Sequence, residues 1–259
     1  MGSSTTQGEL WGAAAHDWAE LQEPTHTPVW VAMLDAAKVG HGTHLFDAGC
    51  GGGGASVLAA KRGAHISGLD ASEALIAIAR ERVPQGDFRV GDLEALPYSE
   101  KTFDAIIAAL SVQYAADPIA ALRELRRVCA LDGSLVISTW GSPEHCEQRV
   151  IHKAVRDTLP SPPSGGGPFA LSAAGALESL VEQAGWKVVG SSEVDCPFEY
   201  KDLETLWQAQ RSGGPLQAAI RAVDEERLRV AVEQAAEPYR TSTGRVRLEN
   251  RFHYVTATV

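Results

Sequence analysis

The stretch that decides the fold is LFDAGCGGGGAS, Leu45 to Ser56. A short apolar run ends in Asp47, and the glycines Gly49 and Gly51 to Gly54 follow within a few residues. Glycine at that density packs nothing and costs chain entropy, so the loop answers to something that must approach the backbone closely. Two patterns fit. Gly49, Gly51 and Gly54 satisfy G-x-G-x-x-G, the dinucleotide fingerprint, and Asp70 stands at the acidic position about twenty residues on. Asp47, Gly49, Gly51 and Gly53 satisfy D-x-G-x-G-x-G equally well. The loop alone does not separate them, because the physics is shared. A tight turn admits ligand atoms, and a helix N-terminus stands behind it. Asp70 can accept charge-assisted hydrogen bonds from two ribose hydroxyls, or can simply favour the start of the next helix through the dipole.

Outward from the loop, strand and helix patterns alternate. THLFDAG, AHISGLD, DFRVGD, FDAIIAAL and SLVISTW read as strands; ASVLAAKRG, SEALIAIARERVP and IAALRELRRVCALDG read as the helices between them. Ser72 and the pair Asp117-Pro118 are the expected N-caps, and Gly63 and Pro84 the expected stops. That alternation predicts an α/β fold: a Rossmann-like, doubly wound, mostly parallel sheet with right-handed crossovers. Upstream, Trp11, Ala14, Trp18 and Leu21 lie at helical spacing, and Thr27-Pro28 opens a second helix. Downstream, PEHCEQRVIHKAVRDTL reads as a helix and Pro160 to Ala170 as a loop. SAAGALESLVEQAG follows as a helix, WKVVGSSEVDCPFEY as one strand, Lys201 to Glu237 as two helices split at Ser212 to Pro215, and RFHYVTATV as the closing strand. We expect a single domain over 1–259, with its core at about 43–200 and 248–259 and lid candidates at 8–40, 141–170 and 201–247.

The formal charge of −10 opposes a dedicated nucleic-acid binder; the basic run RELRR, ending at Arg127, reads as a solvated helix face. No apolar run approaches membrane-spanning length, and MGSSTTQGEL lacks the features of a signal peptide. Cys50, Cys129, Cys146 and Cys196 show no paired spacing, which fits a reducing cytoplasm and predicts no metal site.

Taken in order, FDAGCGGGG, GLDASEALIAIAR, GDLEALPY, FDAIIAALSVQY, DPIAALRELRRV, DGSLVIS and AGW resemble the class I S-adenosylmethionine-dependent methyltransferases, in particular the small-molecule group related to the ubiquinone and menaquinone methyltransferases. The resemblance runs from about Leu45 to Val189. It implies that the last strand inserts antiparallel beside the fifth. It implies S-adenosylmethionine as cofactor, with Asp47, Gly49, Cys50, Gly51 and Gly53 at its methionine end, Asp70 on the ribose and Ala71 against the adenine. Asp92 would meet the adenine amino group, Leu93 would cover the ring, and the carbonyls of Ala109 and Leu110 would take the ammonium. Asp92 read alone could instead cap the turn DLEAL, and Leu93 could be core.

Methyl transfer from a sulfonium is an in-line displacement that needs alignment and exclusion of water more than a fixed catalytic set. The place where nucleic-acid and protein amide methylators carry N/D-P-P-Y/F reads AALS here, 108–111, and no cysteine sits in a Pro-Cys motif. A small-molecule acceptor is therefore expected, with no nucleic-acid or membrane partner; the oligomeric state is not visible. His16, Gln113 and Tyr114 are the catalytic candidates, and Trp18 is a candidate to close over the cofactor. His145, His152 and Tyr239 are further polar candidates, and the first two, seven apart, would share a helical face. Two rivals stand beside this reading: an NAD(P)-dependent oxidoreductase using Gly49, Gly51, Gly54 and Asp70, and a non-methylating protein, such as a cyclase, that keeps the cofactor fold.

Overall fold

The computed structural model describes residues 3–161 and 167–259; part of the proline- and glycine-rich loop expected at Pro160 to Ala170, positions 162–166, lies outside the described residues. In chain order the strands are β1 His44–Ala48, β2 His65–Asp70, β3 Asp87–Val90, β4 Phe103–Ala109, β5 Cys129–Trp140, β6 Lys187–Asp195, β7 Phe198–Tyr200, β8 Val246–Leu248 and β9 Arg251–Thr258. The main sheet has seven strands in the order β3-β2-β1-β4-β5-β9-β6. Strands β1 to β5 pair in parallel, and β9 runs antiparallel between β5 and β6, as the closing strand was expected to.

Parallel strands with helices on both faces must be apolar on both sides. Leu45 to Ala48 and Ala105 to Ala108 are buried without interruption. One core gathers Leu45, Ala105 and Ile107 under helices Thr27–Ala36, Gly54–Lys61 and Glu73–Arg82. The other gathers Phe46, Ile106 and Leu135 under helices Pro118–Val128 and Ala176–Gln183. The caps read from the sequence are present: Ser72 Oγ accepts from the Leu75 N–H, and Asp117 accepts from Ile119 and Ala120.

Three expectations are corrected. The N-terminal stripe is not one helix. Helix Ser4–Gly12 and a short turn Ala15–Asp17 lead into a π-helical turn, Trp18–Gln22, and a 3-10 turn, Glu23–His26, before helix Thr27–Ala36. Because a turn precedes it, Thr27 does not cap; its hydroxyl donates to the Pro24 carbonyl at 2.8 Å. Second, the strand expected at Trp186 to Tyr200 breaks at Cys196-Pro197, and β7 leaves the main sheet to pair with β8. Third, the excursion after β7 holds three helices, Leu203–Arg211, Gly214–Ile220 and Glu225–Ala236; the extra break comes where Asp224 accepts from Arg227 and starts a new helix.

Candidate active site

The strand order reverses between β1 and β4, and at their carboxyl ends a pocket opens, where open α/β sheets bind ligands. Asp47, at the end of β1, is 2% exposed and accepts from the Ser56 hydroxyl at 2.7 Å; burial pushes its carboxyl up to about 7. Asp70, at the end of β2, accepts from the N–H of Gly51 at 3.0 Å and of Ser72 at 2.9 Å, and burial raises it too. Leu110, just past β4, adopts φ 56°, a left-handed conformation that side chains avoid unless the surroundings impose it.

An unexpected residue completes the loop. Glu23, 3% exposed, accepts from the Gly52 N–H at 2.6 Å and the Trp18 indole at 3.2 Å, while its second oxygen pairs with Arg82 at 2.7 Å. Burial pushes its carboxyl up to about 7. Every backbone N–H from Gly49 to Gly53 is thereby satisfied inside the protein: Gly49 and Cys50 donate to Leu69 O, Gly51 to Asp70, Gly52 to Glu23 and Gly53 to Cys50 O. A pyrophosphate needs those groups free. The wall also carries Glu23, Asp47, Asp70 and Asp92 and, among the described residues, no Lys or Arg. Both observations weigh against a pyrophosphate on this loop.

Trp18, Asp47, Gly49, Cys50, Gly51 and Asp70 line this pocket, as do Ala71, Asp92, Leu93, Ala109, Leu110 and Tyr114. Asp92 also accepts from the Glu94 N–H at 2.9 Å, so it caps its turn and faces the pocket at once. Three expected site residues do not reach the wall. Gly53 faces helix Glu73–Arg82, with Ala79 close to where a Cβ would stand. His16 is exposed on the turn Ala15–Asp17. Gln113 turns toward β5, its amide oxygen accepting from the Thr139 hydroxyl at 3.3 Å.

The far half of the pocket is lined from all three segments expected as lids. Gln22 comes from the N-terminal arch of short elements between Ser4 and His26, Gln148 from the segment after β5, and Gln210 from helix Leu203–Arg211; the buried Tyr200 hydroxyl donates to Gln22 and accepts from Gln210, each at 2.9 Å, and Gln148 donates to Gln210 at 2.5 Å. His26 and His152 line the same half, and burial holds each down to about 4, hence neutral. His26 Nδ1 lies 3.1 Å from the Gln22 carbonyl, while His152 Nδ1 is buried with no partner among the described residues. His145 is exposed on a separate turn, Pro143–His145, so the two histidines share no helical face. Among the described residues no three metal-ligating side chains cluster. Trp207 is buried in the core, and Tyr239 packs against that core away from the pocket.

Glu23, His26 and the glutamines escaped the sequence reading. Their signal is tertiary: nothing local distinguishes EPTH, 23–26, from any polar turn.

A family model described as a methyltransferase domain matches residues 46–137. The matched span runs from β1 through most of β5 and takes in the glycine loop, Asp70 and Asp92. The chain is similar to an uncharacterised protein of Mycobacterium tuberculosis, 30% identical over 141 residues, 53% of this chain and 51% of that one. It is also similar to the malonyl-acyl-carrier-protein O-methyltransferase of Erwinia pyrifoliae, 37% identical over 107 residues, 41% of each chain. The chain thus spans about half the length, or less, of the curated relatives it matches. The solved structure of the cyclase SpnF superposes with a TM-score of 0.57 over 89% of this chain and 80% of that one, at 20% identity, a likeness of fold alone. Among the described residues no helix is long and apolar enough to cross a membrane.

The residues fit the cofactor of such a domain. S-adenosylmethionine carries a sulfonium and an ammonium against one carboxylate, and a wall of acids without Lys or Arg suits a net cation.

Proposed function

We propose that the protein transfers the methyl group of S-adenosylmethionine to a small-molecule acceptor. The observation that carries this reading is the glycine loop whose N–H groups are all taken by the protein, set in an acid-lined pocket. Such a loop offers close approach while its own N–H groups are not free for an anion. Asp70 accepts from the ribose hydroxyls, Ala71 and Leu93 flank the adenine, and Asp92 meets its amino group. Asp47, Gly49, Cys50 and Gly51 bound the methionine end, with the carbonyls of Ala109 and Leu110 available to the ammonium, and Trp18 closes above. The cofactor supplies an electrophilic methyl and a sulfur that leaves uncharged. The chain's own task is to align the acceptor and keep water out, which the three converging lid segments serve.

Calorimetric titration tests this. S-adenosylhomocysteine is expected to bind and NADH not. Asp92→Ala should weaken S-adenosylhomocysteine by about tenfold, the loss of one hydrogen bond to the adenine. NADH binding alone sinks the reading, and unchanged affinity in Asp92→Ala sinks the site map. The likeness of fold to SpnF supports a second reading, a cyclase on the same scaffold. Transfer of labelled methyl to an acceptor separates the two.

A further inference from the structure

The acceptor half of the pocket contrasts with the cofactor half. Its polar groups, Gln22, His26, Gln148, His152 and Gln210, are uncharged. A carboxylate or phosphate acceptor would find no cation to pair with among the described residues, and a cationic one would approach the sulfonium from a half that carries no acid of its own; burying an unpaired charge there is costly. The rings of Trp30, Trp140 and Phe198 share the rest of the wall with Pro168, Ala209 and Leu216, and Phe252 backs them from the core. Trp140 packs on Phe252 at 4.6 Å and on Phe198 at 5.8 Å. His26 lies 5.0 Å from Phe198 on one side, and His152 lies 5.8 Å from Trp140 on the other.

His26 is the histidine beside the cofactor half. Its ring is 5.9 Å from that of Trp18, whose indole donates to the loop-bound Glu23. The Gln22 carbonyl only accepts, so Nδ1 carries the proton and Nε2 holds a lone pair. The rings packed on His26 are Trp18, Trp30, Phe198 and Phe252, none of them charged. The nearest acid in the chain, Glu23, turns its carboxylate to Gly52 and Arg82.

Resting on the methyltransferase reading, we propose that the acceptor is an uncharged, planar aromatic molecule bearing a hydroxyl, and that His26 Nε2 takes the hydroxyl proton during transfer. The acceptor oxygen forms the new bond to the methyl carbon as the carbon–sulfur bond breaks; the electron pair of that bond stays on sulfur, and the proton passes from oxygen to Nε2 and then to water. At the far end His152 Nδ1, buried without a partner among the described residues, is available to a second polar atom of the acceptor.

The test uses 2-naphthol, 2-naphthoate, 2-naphthylmethylammonium and 2,7-dihydroxynaphthalene as probes, read by quenching of the pocket tryptophans in protein saturated with S-adenosylhomocysteine. The naphthol is expected to bind at least tenfold tighter than either charged probe. The diol should bind tighter still, and lose that advantage in His152→Ala. With labelled S-adenosylmethionine, naphthol turnover in His26→Gln should fall about a hundredfold or more in kcat, with S-adenosylhomocysteine affinity unchanged. Its residual rate should climb with pH as the naphthol ionises, whereas the wild-type rate stays level from pH 6 to 8. Preference for a charged probe, or no naphthol binding, overturns the acceptor class. A His26→Gln rate within threefold of wild type overturns the base. Failure to bind S-adenosylhomocysteine at all strikes the methyltransferase reading instead.

Discussion

Gly51 adopts φ 54°, and a Cβ there would stand 2.6 Å from Glu23 Oε1. Gly51→Ala therefore meets two penalties, a left-handed backbone costing about 1–2 kcal/mol and a displaced carboxylate. We expect the melting midpoint to drop by several degrees and S-adenosylhomocysteine affinity to fall at least tenfold; melting and calorimetry on the purified variant read both. The requirement for glycine here was legible because it is local: turn, residue and spacing sit in one short string. Glu23 was not legible, because its partners Gly52 and Arg82 lie 29 and 59 positions away. His26 hid for the same reason; its role comes from rings contributed by Trp18, Phe198 and Phe252. His16 drew attention by standing near Trp18 in the chain, but the turn that places Trp18 on the pocket leaves His16 exposed.

The N-terminal arch closes the cofactor half as an assembly of short elements. Helix Ser4–Gly12 has a single buried residue, Leu10, and docks through Gly8, where a Cβ would fall 2.3 Å from the Ala71 carbonyl oxygen. Gly8→Val should lift this helix and weaken cofactor binding while leaving the melting midpoint nearly unchanged, since little apolar surface is at stake. An equal loss of both would show the helix to be part of the core. The other end of the arch is pinned by Arg82, which donates to Glu23, to the Gly52 carbonyl and to the Ala19 carbonyl. Arg82→Met leaves the Glu23 carboxylate buried without its ion partner, a loss of about 1–3 kcal/mol. Adding Glu23→Gln should recover part of that stability in a denaturant titration; no recovery would locate the damage elsewhere. The sheet strands and their crossover helices were readable from alternation and caps, except that CALDG, expected as the end of a helix, opens β5, where Cys129 pairs with Phe103. The π-helical turn, the β7–β8 ribbon and the third helix of the excursion were not, because each is set by what it packs against.

At the scale of the whole molecule, the pocket concentrates like charge. Glu23 and Asp47 both have carboxyls pushed up to about 7 by burial, from ordinary values of 4.5 and 3.8. The native state therefore holds protons that the unfolded chain releases. The stability these two groups contribute is fully present below about pH 4 and is lost as pH rises through about 7. A cation binding beside them favours the ionised forms, so the affinity for S-adenosylmethionine should rise by about tenfold or more from pH 6 to 8, with protons released on binding. S-adenosylhomocysteine, which lacks the sulfonium charge, should show a smaller rise. Calorimetry in two buffers of different ionisation enthalpy reads the proton release; equal pH dependence for both ligands would remove the acids from the account. The sequence by itself determined the alternating α/β architecture, the glycine loop and the row of acids at the ends of β1, β2 and β3, because hydrophobic period, turn chemistry and caps act over a few residues. The tertiary structure alone decided that the loop's N–H groups are already taken, and that three distant segments meet in an uncharged aromatic chamber. Both depend on long-range packing, which joins residues that no local pattern relates.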